Sequence, residues 1–93
     1  MIIGVMTITL HANWVHSLKE KRMIVKSLIA KIKHSYNVSV IEYSKQDLHQ
    51  TIVIAIATLG TNNAQVDSVL EHIIDFVEAN TEAEITDIYQ EKR

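Results

Sequence analysis

The sequence predicts an α+β fold with the element order βαββαβ, and three observations carry that expectation. Residues 17–36 and 64–79 repeat apolar side chains at the helical period of about 3.6 residues. Residues 2–11, 38–44, 50–59 and 83–89 alternate apolar with polar residues or are rich in β-branched ones, as strands are. The chain of 93 residues contains no Pro and only two Gly, so no linker or low-complexity tract divides it, and a single domain spanning 1–93 is expected.

The first strand, Ile2 to His11, sets Gly4, Met6, Ile8 and Leu10 on one side and Ile3, Val5, Thr7 and Thr9 on the other. Ala12 to His16 is a loop. Ser17 is suited to cap the helix that follows, and Glu20 three positions later completes a capping box. Behind that cap Leu18, Val25, Leu28, Ile29, Ile32 and Tyr36 gather on one helical face, and Asn37 is the expected stop. Val38 to Ser44 forms the second strand, with Val38, Val40 and Glu42 on one side and Ile41 and Tyr43 on the other. Lys45 to His49 is a polar connection into the third strand, Gln50 to Leu59, whose β-branched and Ala residues suit a central position. Gly60 to Asn63 supplies a turn and a cap. The second helix, from about Ala64 to Ala79, collects Val66, Val69, Leu70, Ile73 and Val77 on one face. Ala83 to Tyr89 is the last strand, and Gln90 to Arg93 is expected to fray.

This order is that of the ferredoxin-like split βαβ arrangement, a four-stranded antiparallel sheet with both helices on one face. The other face then presents Ile, Val and Ala from the third strand. Open apolar area of that extent is costly, so a homodimer through the open sheet face is expected.

Composition narrows the function classes. There is no Cys, which excludes disulfides, thiolate metal sites, CxxC redox chemistry and cysteine nucleophiles. The opening apolar run is too short to span a membrane and lacks the basic flank of a signal peptide, so a cytoplasmic protein without membrane association is expected. The net charge of −2 conceals an asymmetry. Residues 1–45 carry seven Lys/Arg against two Asp/Glu, a net +5, whereas residues 46–93 carry two against nine, a net −7.

Six of the nine basic residues lie on the first helix. Lys19, Arg22, Lys26 and Lys33 fall within an arc of roughly 60°. Lys19, Lys21 and Arg22 crowd the first turns, where the helix dipole is already positive, at a cost of about 0.3–1 kcal/mol each. A local rule broken at one place points to use. Helix N-terminal N–H groups with Lys and Arg suit phosphate, so Ser17, Lys19, Lys21, Arg22, Lys26 and Lys33 are candidates for contacting an anion or RNA backbone. On the second helix Asp67, Glu71, Asp75 and Glu78 share an arc of roughly 80°. Because the two helices run antiparallel, the basic and acidic stripes are alternatively partners of each other, within the monomer or across a dimer. Those four acidic residues, with Trp14 and His16 in the first loop, are the candidates for a protein-interaction or ligand-sensing surface.

Base stacking on the sheet is excluded by the third strand, which has no aromatic residue. The five histidines show no HxxxH, HExxH or HxH spacing, so no metal site and no cofactor is expected. A weaker alternative places an enzyme site near His11, His16 and His49. Ser17 beside His16 is already committed to capping, and no orienting third group is evident. The loop from His11 to His16 has no Arg to cradle a phosphate, and there is no glycine-rich phosphate loop.

The segment HSLKEKRMIVKSL, then YNVSVIEY and QDLHQ, resembles the YlxP-like family of small bacterial proteins, a domain family of unknown function, over essentially the whole chain. The resemblance implies a ferredoxin-like fold and no assigned reaction. That family commonly has an aromatic residue after the Asp of the third segment, where Leu48 follows Asp47 in this chain. Its genes often neighbour those for translation initiation and ribosome maturation, which implies ribosome or RNA association. The expected function is thus a non-enzymatic accessory protein that contacts RNA or the ribosome through its basic first helix. The alternative is a dimeric protein-interaction or small-ligand-sensing module.

Overall fold

A computed structural model describes all residues from Met1 to Arg93. Six elements run in the order β1 (Ile2–His11), α1 (Leu18–Ser35), β2 (Ser39–Glu42), β3 (Thr51–Gly60), α2 (Asn63–Asn80) and β4 (Glu84–Lys92). The strands form one antiparallel sheet in the order β2-β3-β1-β4, so the fold is the α+β ferredoxin-like arrangement. The apolar strands β1 and β3 take the centre and pair along their full length, from Ile2 opposite Gly60 to His11 opposite Thr51.

Alternation along the strands decides what the helices cover. Met6, Ile8 and Leu10 of β1 and Ile52, Ile54 and Ile56 of β3 point to the helix side and are buried. They meet Val25, Leu28 and Ile32 of α1 and Val66, Leu70, Ile73 and Val77 of α2 in one core. The helices lean together through an edge-on contact between Tyr36 and Phe76, with ring centroids 5.5 Å apart. The Tyr36 hydroxyl also donates to the His72 carbonyl at 3.3 Å. Gly4 and Gly60 both lie under Val66: a Cβ would stand 2.3 Å from Val66 Cγ1 at Gly4 and 2.6 Å from Val66 Cγ2 at Gly60. The first turn of α2 therefore rests on the ends of β1 and β3 at a distance that only glycine permits.

Local detail refines this frame and corrects two expectations, the length of β2 and the fraying of the C-terminus. Helix α1 stops just before Asn37, as expected, with Tyr36 as an extended cap whose N–H donates to the Ile32 carbonyl. Strand β2 is only four residues long, because the chain turns away through Ser44 and Lys45, both with positive φ. The C-terminal residues do not fray: β4 continues to Lys92, and Ile3 and Arg93 exchange both backbone hydrogen bonds at 2.8 Å. Strand β4 also carries an irregularity opposite Thr9 and Leu10, where Thr86 has no partner in the ladder and its hydroxyl reaches the Thr9 carbonyl at 3.3 Å. That extra residue is why Ile85 and Ile88, an odd number of positions apart, both face the helix side, opposite Leu10 and Ile8.

Candidate functional site

Helix α1 has one face in the core, one flank toward α2 and one flank open. Ser17 caps it, its Oγ accepting from the Glu20 N–H at 3.1 Å. The antiparallel α2 lies along the flank that carries Ser27, Lys31 and Ser35: Ser27 shares a groove with Asn80 and Thr81, and Lys31 and Ser35 share one with Phe76 and Asn80. The stripe of Lys19, Arg22, Lys26 and Lys33 lies roughly 150° round the helix from that flank. All four side chains are exposed. None lies within ion-pair distance of a carboxylate: the three ion pairs of the molecule are Lys21–Glu42, Lys92–Asp67 and Arg93–Glu91.

Lys21 is not part of this surface. It is 1% exposed and stands in line with Val25, Leu28 and Ile32 on the buried face. Its Nζ donates to the Leu48 carbonyl at 2.8 Å and the Lys45 carbonyl at 2.9 Å, with a longer contact to Gln46 at 3.5 Å. Glu42 Oε2 approaches the same nitrogen at 3.1 Å, an ion-pair contact rather than an aligned hydrogen bond. The β2–β3 connection is thus wrapped around a buried ammonium, which satisfies the carbonyls exposed by the left-handed turn at Ser44 and Lys45. The wheel carried the signal for this placement, since positions 21, 25, 28 and 32 follow the helical repeat of a buried face.

The acidic stripe lies on the far flank of α2. Asp67 pairs with Lys92 of β4 at 2.6 Å, while Glu71, Asp75 and Glu78 are exposed without an ion pair. The basic and acidic stripes therefore do not meet within the monomer, so pairing of the two within one chain is overturned. Trp14 and His16 are exposed in a loop anchored by buried Ala12 and Val15. Gln50 Nε2 fixes the same loop by donating to the Asn13 carbonyl at 3.0 Å and the Val15 carbonyl at 3.2 Å. His11, Asp47 and His49 line one shallow hollow of about 250 Å³, which His16 does not join. No three His, Asp or Glu residues come together in a way that could hold a metal ion. No helix is long and apolar enough to cross a membrane.

Residues 3–90 match the profile of the family described as "Protein of unknown function (DUF503)". The chain is also similar to "Uncharacterized protein YlxP" of Bacillus subtilis (strain 168), with 31% identity over 70 residues, 75% of this chain and 76% of that protein. With nearly its whole length inside the family profile and a relative similar along three quarters of it, this chain belongs to the DUF503 family, the YlxP-like proteins of unknown function.

Proposed function

We propose that this protein is a non-enzymatic cytoplasmic accessory protein that contacts structured RNA, ribosomal RNA included, through the outer flank of α1. The observation that carries the reading is the row of Lys19, Arg22, Lys26 and Lys33, four exposed cations without acidic partners on the side of the helix turned away from the acidic stripe. At about 1.5 Å per residue the row extends roughly 21 Å, enough to follow several successive phosphates. A duplex contacted through phosphates and 2′-hydroxyls requires no aromatic platform, in keeping with a third strand that has none. Lys21 holds its own loop and makes no contact with RNA.

The test is binding to structured RNA and to ribosomal subunits over a salt series. Four phosphate contacts give a slope of about −3 in log K against log salt, a loss of about 60-fold between roughly 50 and 200 mM. The Lys19→Glu/Lys26→Glu variant, both positions being exposed, keeps the circular dichroism of the wild type, binds about tenfold or more weakly and shows a shallower slope. Equal binding by the folded variant and the wild type sinks the proposal, as does a wild type that binds neither target.

A further inference from the structure

We infer that the open face of the sheet is an interface between two copies of this chain, packed sheet against sheet. This face lies on the opposite side of the sheet from α1, so the inference does not depend on the RNA reading. Antiparallel sheets that face water alternate apolar-in with polar-out. This one does so only toward one end, where Thr7, Thr9, His11 and Thr51 lie; toward the other, the open side of its central strands presents Ile3, Val5, Ala55, Ala57 and Leu59, and β2 adds Ile41. Ile41 is 57% exposed and Leu59 65% exposed, so large aliphatic side chains stand in solvent in the monomer.

Size, charge and relief each favour a second copy. The four strands, about 4.8 Å apart and with 33 residues between them at about 3.3 Å each, make a face of roughly 520 Å² before side-chain relief is counted. A stable dimer buries about 800 Å² per partner, and Tyr43 and Tyr89 toward the two edges extend the face toward that value. The charged groups on this side, Glu84, Asp87, Glu91 and Arg93, belong to the edge strand β4 and the residue that follows it. The central strands bring no formal charge there, so a two-fold contact centred on Val5, Ile41, Ala55 and Ala57 leaves the charges of β4 at its rim. The relief is also self-complementary. Ala55 and Ala57 form the floor of a depression of about 170 Å³ beside Val5 and Ile41, and Leu59 rises from the same face as a knob. An isologous two-fold contact needs knob and hollow on one patch, since each copy supplies both.

Sedimentation equilibrium of the wild type and of Ile41→Glu/Leu59→Glu tests the inference. Both side chains are exposed in the monomer, so the variant is expected to keep its circular dichroism. The wild type should dimerise in the micromolar range, and the variant's dissociation constant should rise at least about 100-fold, because the contact would bury unpaired carboxylates from both copies. A second readout uses Ala55→Cys, which introduces the only thiol of the chain. Its alkylation should slow severalfold as protein concentration rises, while alkylation of a Glu78→Cys control on α2 stays constant. A wild type that remains monomeric overturns the inference. So does a dimer that survives in the folded double variant, or an Ala55→Cys thiol whose reactivity ignores concentration.

Discussion

At the scale of single residues, Lys21 shows how one charge can serve a fold from within. Its ammonium meets the backbone carbonyls of Lys45 and Leu48 and the carboxylate of Glu42. Removing one partner of such a pair leaves the others uncompensated, whereas removing both leaves less behind. Lys21→Met should therefore destabilise the protein by about 2–4 kcal/mol, lowering the melting temperature by roughly 10–20 °C. Adding Glu42→Leu should cost less than the sum of the single changes, which a double-mutant cycle in urea reads directly. Below its melting temperature Lys21→Met should bind RNA like the wild type. Equal losses of RNA binding in Lys21→Met and Lys26→Glu would restore Lys21 to the surface role that its sequence position suggested. That expectation rests on the crowding of cations in the first turns of α1, which takes each lysine as exposed; the place of Lys21 in line with Val25 and Ile32 is the better guide. At the other end of the chain, the Arg93 guanidinium holds the Glu91 carboxyl below its ordinary range by a 3.0 Å hydrogen bond and its charge. A carboxyl with a lowered folded pKa contributes stability above the ordinary carboxylate range and loses it as pH falls through the lowered value. Arg93→Gln should move the Glu91 midpoint upward in an NMR carboxyl titration, and an unmoved midpoint would dissociate the shift from Arg93.

At the scale of elements, the packing of α2 on the sheet depends on two missing side chains. Gly4 and Gly60 read from sequence as punctuation, yet both make room for Val66. Gly4→Ala forces a Cβ to within 2.3 Å of Val66 Cγ1, while Leu70 and Thr58 close the remaining space. Overpacking of this kind costs about 1–3 kcal/mol. Val66→Ala on its own should also destabilise, by loss of a buried side chain. The pair together should be more stable than the two losses added, because each change relieves the other; strict additivity in urea titration would mean that the helix simply rides upward. Helix positions, strand order and the core were legible in the sequence because periodicity records burial, and burial is what holds Ile8, Ile54, Ile32 and Ile73 together. Strand ends were less legible because they depend on partners distant in sequence. Gln90, Glu91 and Lys92 are polar enough for a tail, but β1 presents an unpaired backbone edge that they complete. Conversely Tyr43 and Ser44 suit a strand by composition, and the left-handed turn around the Lys21 ammonium takes the chain out of the ladder. The bulge at Thr86 had a trace in the odd spacing of Ile85 and Ile88, which an unbroken strand places on opposite faces.

At the scale of the whole molecule, charge is sorted from side to side. The cations of α1 lie toward the β2 edge of the sheet, and the carboxylates of α2 lie toward β4, where Asp67 already holds Lys92. Near-neutral net charge thus coexists with a strong separation of sign, and the local field at α1 decides what can approach it. In a sheet-to-sheet dimer both helical layers face outward, so the two basic rows remain open on opposite faces of the particle and can engage one long RNA together. The reach of the acidic stripe toward that contact is set by distance and screening. Packed helices lie about 8–10 Å apart, and the two stripes occupy their outer flanks, which puts them roughly 20 Å from each other. The Debye length is about 8 Å at physiological ionic strength and about 30 Å at 0.01 M. Neutralising the stripe with Glu71→Gln/Asp75→Asn should therefore change RNA affinity by less than about twofold at physiological salt, and strengthen it clearly more at 0.01 M. The same measurement on Lys19→Gln/Lys26→Gln should show a large loss at both ionic strengths, since those cations contact the phosphates themselves. A large gain from the α2 change at physiological salt would mean that bound RNA runs across both helices, and the contact would then have to be redrawn over the whole helical layer.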